Sequence, residues 1–307
     1  MIIAPPRTTT FYSSFARGSV DIGEEVCIKR MQVSMGKKRF IEKVLEKERD
    51  PSEEHRSVLA EVIASLSKVP PTTRVHPWFK ADLTDMRWLP INEDLKLPES
   101  APAPLELLDR FIEESSHRVI YKACGCRTAC QCKEYPQDIG CLLMGDSALE
   151  SSHSVSHEVD IDEAKEHARK AVEAGLVPMV GKARVDNYIF GIKERRRLLT
   201  VCFCCECCCV SRYERYFPIK QLDEMFPRLD GIKMVVNSAC DGCGDCVERC
   251  YIRAIEMKNG VAVISERCRA CGRCATICPA KAVSVQIDDS LFLEESYNRI
   301  RAHTKHD

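Results

Sequence analysis

The chain has 307 residues, enough for two or three domains with buried cores. Its 45 Lys and Arg nearly balance 46 Asp and Glu, so a net charge of −1 offers no bulk attraction to nucleic acid or an anionic membrane. No run of about 18 apolar residues predicts a membrane span, and the opening M-I-I-A-P-P-R-T-T-T-F lacks the basic-then-apolar order of a secretory signal. The 20 cysteines, with no export signal, argue for reduced metal-ligating thiols over disulfides. A cytoplasmic, oxygen-avoiding setting follows, because exposed thiolate-bound iron is oxidised.

In chain order, residues 1–34 read as a poorly ordered extension, with Met31 and Met35 as alternative starts and Cys27 as an ordinary thiol. Residues 35–104 read as a helical region and Pro-rich linker. Lys37–Arg49 puts Phe40, Ile41, Val44 and Leu45 on one helical face, and Glu53–Lys68 forms a second helix. Four prolines between Pro90 and Pro104 mark the linker, and Trp78 and Trp88 are expected packing anchors. A helix is expected over Leu105–Glu114.

Residues 105–230 form a candidate Cys-rich metal-binding domain. The apolar strand R-V-I-Y-K-A-C-G-C ends in Cys124 and Cys126. Asp160 caps a helix with Glu163 three residues on, and Gly175 stops it. A second apolar strand, R-L-L-T-V-C-F-C-C, again delivers cysteines at its C-terminal end. Pairing the two strands in parallel across the helix brings both cysteine groups to one sheet edge; Leu176–Val180 is the competing strand.

Residues 231–290 carry two copies of C-x2-C-x2-C-x3-C, Cys240/Cys243/Cys246/Cys250 and Cys268/Cys271/Cys274/Cys278, with Asn259-Gly260 marking a hairpin between strand-like runs. Thiolates at this spacing suit cubane iron, and the fourth cysteine of each run serves the other cluster. Cys240, Cys243, Cys246 and Cys278 are therefore assigned to one 4Fe–4S cluster, and Cys268, Cys271, Cys274 and Cys250 to the second. Gly242, Gly244 and Gly272 are expected to let backbone amides approach the sulfurs. A zinc ribbon would need four thiols, not two interleaved sets. This segment closely resembles the bacterial-type ferredoxin with two 4Fe–4S clusters. Tyr251 departs from it, standing where such ferredoxins repeat the proline seen at Pro279. Residues 291–307 read as a C-terminal tail.

Upstream, Cys124, Cys126, Cys130, Cys132 and Cys141 form one group, and Cys202, Cys204, Cys205, Cys207, Cys208 and Cys209 crowd into eight residues. A regular backbone splits those six into two sets, so two metal centres, one large centre, or spectators are expected. One scheme builds a cluster on Cys124, Cys126, Cys132 and Cys141 and a second site on the 202–209 knot; a mixed scheme is equally open. Arg127 and Lys133 would offset thiolate charge. Thiolate storage of zinc or copper is the competing chemistry. C-G-C-R, C-K-E-Y-P, G-C-L-L-M-G and L-L-T-V-C-F-C-C-E-C-C-C, with T-D-M-R-W-L-P-I-N and M-G-K-K upstream, resemble a poorly characterised family of cysteine-rich 4Fe–4S binding proteins of anaerobic bacteria and archaea. That resemblance covers about residues 35–290 and implies iron–sulfur redox work without naming a substrate. Cys130 is an extra to it.

His153, His157 and His167 read as surface or packed residues, and Lys193–Arg197 as a solvated face. No dinucleotide fingerprint, P-loop or nucleophile elbow occurs. The expected fold is α+β: a helical N-terminal region, a small α/β Cys-rich domain and a C-terminal ferredoxin-like domain. The expected function is electron transfer between the dicluster domain, with its two 4Fe–4S clusters, and one or two further iron–sulfur centres upstream. A redox partner protein and a complex with other oxidoreductase subunits are expected, with no nucleic acid and no membrane insertion. The alternatives are an oxidoreductase reducing a small substrate at an atypical centre on Cys202–Cys209, with Glu206 as the nearby acid, and a metal store or cluster scaffold. No catalytic residue is assigned.

Overall fold

The computed structural model describes residues 84–90, 104–183, 186–194, 196–209, 211, 214–215, 217–287 and 292–304. The extension 1–34, the helices Lys37–Arg49 and Glu53–Lys68, Cys27, Trp78 and most of the Pro-rich stretch lie outside these residues.

The described chain begins with β1 (Asp85–Trp88) and α1 (Pro104–Glu114), whose first-turn proline needs no amide partner. Then come β2 (Arg118–Tyr121), the short α2 (Gly125–Ala129), β3 (Leu142–Met144) and β4 (Ser156–Glu158). They are followed by α3 (Ile161–Glu173), β5 (Val177–Lys182), α4 (Asp186–Phe190) and β6 (Leu199–Cys204). The strands make one sheet, ordered β1-β5-β6-β3-β2-β4, with every neighbouring pair antiparallel.

The expected parallel βαβ pairing is therefore overturned, and this part is α+β, not α/β. The apolar run beginning at Val177 pairs with β6, Val177 opposite Cys204 and Gly181 opposite Thr200. Buried along nearly its whole length, β5 gains more from a central position than an edge would give it. The juxtaposition of cysteines arises by another route. Both β2 and β6 run antiparallel to β3, so they point the same way and deliver their cysteines to the same end of the sheet.

The core beneath includes Leu142, Leu143, Val177, Val180, Leu199 and Val201, all fully buried. Helix α3 covers the sheet with Ala164, Ala168 and Ala171, small residues that permit close approach. Asp160 caps it by accepting from the Glu163 amide at 2.8 Å, as its capping signal predicts.

The C-terminal portion contains α5 (Ile219–Met225), β7 (Ile232–Val236), α6 (Asp245–Glu248), β8 (Ile255–Lys258), β9 (Val261–Ile264), α7 (Arg273–Thr276), β10 (Val283–Ile287) and α8 (Phe292–His303). β7 pairs with β10 and β8 with β9, both antiparallel. Asn259 and Gly260 both have positive φ, 51° and 76°, as a tight turn with the twist of a hairpin requires. Matching places in the two halves share left-handed backbone: Gly242 with Ala270, and Arg253 with Lys281. The residues read as a tail include α8. It packs on α1 through stacked Phe111 and Tyr297 rings 4.9 Å apart and an Arg110–Glu294 ion pair at 2.6 Å.

Candidate metal centres

The eight cysteines of the double motif line two separate cavities. One is bounded by Cys240, Cys243, Cys246 and Cys278, with Met257 and Val283 as apolar walls. The other is bounded by Cys250, Cys268, Cys271 and Cys274, closed by Trp88 and Tyr251. The fourth cysteine of each run thus lies with the first three of the other run. Backbone amides already point at sulfur: Ala254 to Cys250 at 3.2 Å, Ala270 to Cys268 at 3.3 Å, Ala282 to Cys278 at 3.3 Å and Ala262 to Cys240 at 3.5 Å. These donors are alanines, whereas the glycines thought to supply them serve the backbone instead. A Cβ on Gly242 would meet the Gly260 carbonyl oxygen at 2.5 Å. Burial raises the thiol pKa of Cys268, Cys271, Cys274 and Cys246, so a thiophilic cation entering here displaces protons. Four thiols per cavity with amide donors at sulfur fit a cubane.

Upstream, the structure sorts the cysteines differently from the first scheme above. The sulfurs of Cys132, Cys205, Cys207 and Cys208 all lie within 4.8 Å of one another, with Cys132 and Cys207 at 3.6 Å. Cys205 is pulled down to about 2 by hydrogen bonds from Cys207 and Cys208, with Arg127 adding to them. A second set runs in a row: Cys126 hydrogen-bonds Cys124 and Cys209, which lowers the pKa of the Cys124 thiol and raises its own, and Cys209 lies 3.0 Å from Cys204. Cys141 instead sits 3.8 Å from Cys202. The set Cys124/Cys126/Cys132/Cys141 is thus not brought together, and both nests draw on both cysteine groups. The reason is the turn after β6, where alternation ends and Cys205, Cys207 and Cys208 curl onto one side. Cys130 points at the Cys208 carbonyl, 3.9 Å away.

Arg127 sits at the centre of this arrangement, buried to 1% exposure. Its guanidinium donates to the carbonyls of Pro136 (2.7 Å), Phe203 (2.6 Å) and Ile139. Burial opposes its charge, but Cys124, Cys205, Cys209 and Cys141 outweigh that and raise its pKa. Lys133, by contrast, is exposed.

Two links, the first of them buried, join the upstream nests to the second cavity. Tyr251 is 1% exposed, and its hydroxyl donates to the Cys204 carbonyl at 2.8 Å, while its ring lies 4.6 Å from that of Trp88. Trp88 in turn donates to Glu214 at 2.8 Å. Glu206, inside the cysteine knot, accepts from the Tyr135 hydroxyl at 2.8 Å and pairs with Arg273 at 3.2 Å and Arg249 at 3.6 Å. Arg273 lies between Cys271 and Cys274 in sequence. Glu206 therefore serves as a tether between the knot and the dicluster domain. The bridging role of Tyr251 was missed from sequence, although its departure from the usual proline was the available signal. His153 and His157 are exposed, and His167 bonds the Gly140 carbonyl at 2.9 Å and packs edge-on to Phe203.

Against known proteins, a family model described as a 4Fe-4S dicluster domain matches residues 239–282. No curated protein and no solved structure matches the chain. The chain therefore carries a C-terminal 4Fe–4S dicluster domain of ferredoxin type and, beside it, a cysteine-rich α+β region that offers further metal sites. No helix among the described residues is long and apolar enough to cross a membrane.

Proposed function

We propose that this chain is an iron–sulfur electron-transfer protein of anaerobic redox metabolism. Cys240, Cys243, Cys246 and Cys278 hold one 4Fe–4S cluster, and Cys250, Cys268, Cys271 and Cys274 the second. The nests Cys132/Cys205/Cys207/Cys208 and Cys124/Cys126/Cys204/Cys209 hold further iron–sulfur centres. Centres at these places supply one-electron exchange, while the protein holds, insulates and connects them.

The observation that carries this reading is the Tyr251 link. From the second cavity, covalent bonds run from Cys250 into Tyr251, and one hydrogen bond reaches the backbone of Cys204 in the upstream nest. Bonded contacts couple a donor and an acceptor more strongly than gaps do, and here water is kept out by Trp88. At the far end Cys243 is exposed, so a redox partner protein docks there, and electrons pass from the first cluster to the second and then upstream. A cytoplasmic location and assembly with other oxidoreductase subunits belong to the same reading.

The test is iron and acid-labile sulfide per chain on anaerobically prepared protein, with electron paramagnetic resonance before and after dithionite. Wild type should bind well over the about eight irons of a dicluster. Cys268→Ser and Cys205→Ser should each remove about four irons and a distinct signal. Zinc or copper upstream without sulfide would overturn the upstream part of the reading.

A further inference from the structure

We infer that Cys141 and Cys202 form a redox-active dithiol that reduces disulfides; its electron supply rests on the function proposed above. Eleven cysteines lie between positions 124 and 209, and the two nests account for eight. Cys130 faces the Cys208 carbonyl, which leaves Cys141 and Cys202. Their sulfurs are 3.8 Å apart, and neither belongs to the compact four-thiol group Cys132/Cys205/Cys207/Cys208. Both are partly exposed, as are Cys126 and Cys207, whereas the other six nest cysteines are buried.

Their backbone placement suits reversible bonding. Leu142 on β3 lies opposite Val201 on β6, so the register sets Cys141 across from Cys202. Residues facing each other on antiparallel strands have Cα atoms about 4.5–5.5 Å apart, inside the span a disulfide bridges. Closing the bond takes side-chain rotation, with the strands held by the sheet. The backbone beside Cys141 has no slack, since a Cβ on Gly140 would meet the Tyr121 carbonyl oxygen at 1.9 Å. A disulfide formed between rigid strands is strained and gives up its bond more readily than a structural one.

The chemistry balances. One thiolate of the pair attacks a substrate R–S–S–R, forming a mixed disulfide and releasing one RS⁻, which takes up a proton. The second thiol, losing its proton, attacks the mixed disulfide and forms the Cys141–Cys202 bond as the second RSH departs. The pair is oxidised by two electrons and the substrate reduced by two. Resetting the pair takes two electrons and two protons; the electrons arrive singly from a low-potential iron–sulfur donor, and the protons from water. The position of the pair on β6, two residues before Cys204 of the upstream nest, puts it at the end of the proposed route.

The test uses the full chain, anaerobically prepared and iron-loaded, mixed with oxidised glutathione or, separately, with insulin. Thiols are then trapped by alkylation and mapped by mass spectrometry, with iron counted in parallel. The expected result is a Cys141–Cys202 disulfide, two substrate thiols released per chain and unchanged iron. Of Cys141→Ser and Cys202→Ser, the one that removes the attacking thiol should abolish release, the other should release one thiol and trap a mixed disulfide, and both should keep wild-type iron. Reaction with glutathione alone assigns a small disulfide as substrate, and reaction with insulin a protein one. No disulfide with either probe, or loss of about four irons in either Ser variant, would overturn the inference. A disulfide forming in wild type whose upstream nests lack sulfide would keep the dithiol and sink only the electron route.

Discussion

Single side chains decide how the two halves communicate. Removing the Tyr251 hydroxyl in Tyr251→Phe leaves the Cys204 carbonyl without its buried donor, a loss of about 1–3 kcal/mol. The denaturation midpoint should fall accordingly. After rapid one-electron reduction, freeze-quenched resonance spectra should show slower spreading of the electron from the dicluster to the upstream signal, with iron unchanged. Glu206→Gln should cost about 3 kcal/mol, because Arg273 keeps a buried charge without its counter-ion; chemical denaturation reads this directly. Glu214 makes a pH prediction. Burial raises its pKa to about 8, against the Trp88 hydrogen bond and the charge of Arg269. The folded state therefore binds a proton that the unfolded chain releases near its ordinary value. Stability should fall as pH rises from roughly 4.5 to 8 and then level off. Glu214→Gln, which preserves the acceptor for Trp88, should flatten that fall in a series of denaturation curves.

At the scale of elements, β1 is the strap that holds Trp88 over the second cavity. Gly181 on β5 allows it to lie there. A Cβ at 181 would stand 2.0 Å from the Asp85 carbonyl oxygen, and φ is +147°. Gly181→Ala should push β1 off the sheet, lower the melting temperature by several degrees and shift the Trp fluorescence to the red as Trp88 meets water. The antiparallel sheet itself shows how a local pattern can be read correctly and paired wrongly. Both cysteine-bearing strands were visible as apolar runs, as were α3 with its Asp160 cap and the Asn259-Gly260 hairpin. Strand partners were not visible, since an apolar run is equally at home beside any other, and β5 won the central place by burying nearly all its length.

For the whole molecule, metal binding and folding are one equilibrium. The cavities and nests gather thiols that must lose protons and then hold negative charge. Glu214, Arg215 and Phe217 are clasped to the dicluster by Arg267, which donates to the carbonyls of Phe217 (3.0 Å), Glu214 (3.0 Å) and Arg215 (3.1 Å). With Tyr251 and Glu206, this clasp ties dicluster and upstream region into one cooperative unit. Calorimetry on the anaerobic iron-loaded protein should give a single transition, moving down strongly once a chelator strips the iron. Two well-separated transitions would contradict that coupling.

The amino-acid sequence by itself determined the dicluster domain, because the spacing of eight cysteines dictates which loops can close on a cubane, and neighbouring turns supply the rest locally. It also showed that each upstream cysteine group follows an apolar strand, but that the two groups meet was decided by the antiparallel sheet. Only the tertiary structure decided how those cysteines divide. Cys132 meets Cys205, Cys207 and Cys208, and Cys141 meets Cys202, through the order of strands in the sheet and a turn whose shape no side-chain period announces. The same holds for Tyr251 and Glu206. Tyr251 was legible as a departure from the usual proline and Glu206 only as an acid beside the thiols, but their partners lie far along the chain, and long-range contacts are set by packing, not by neighbours in sequence.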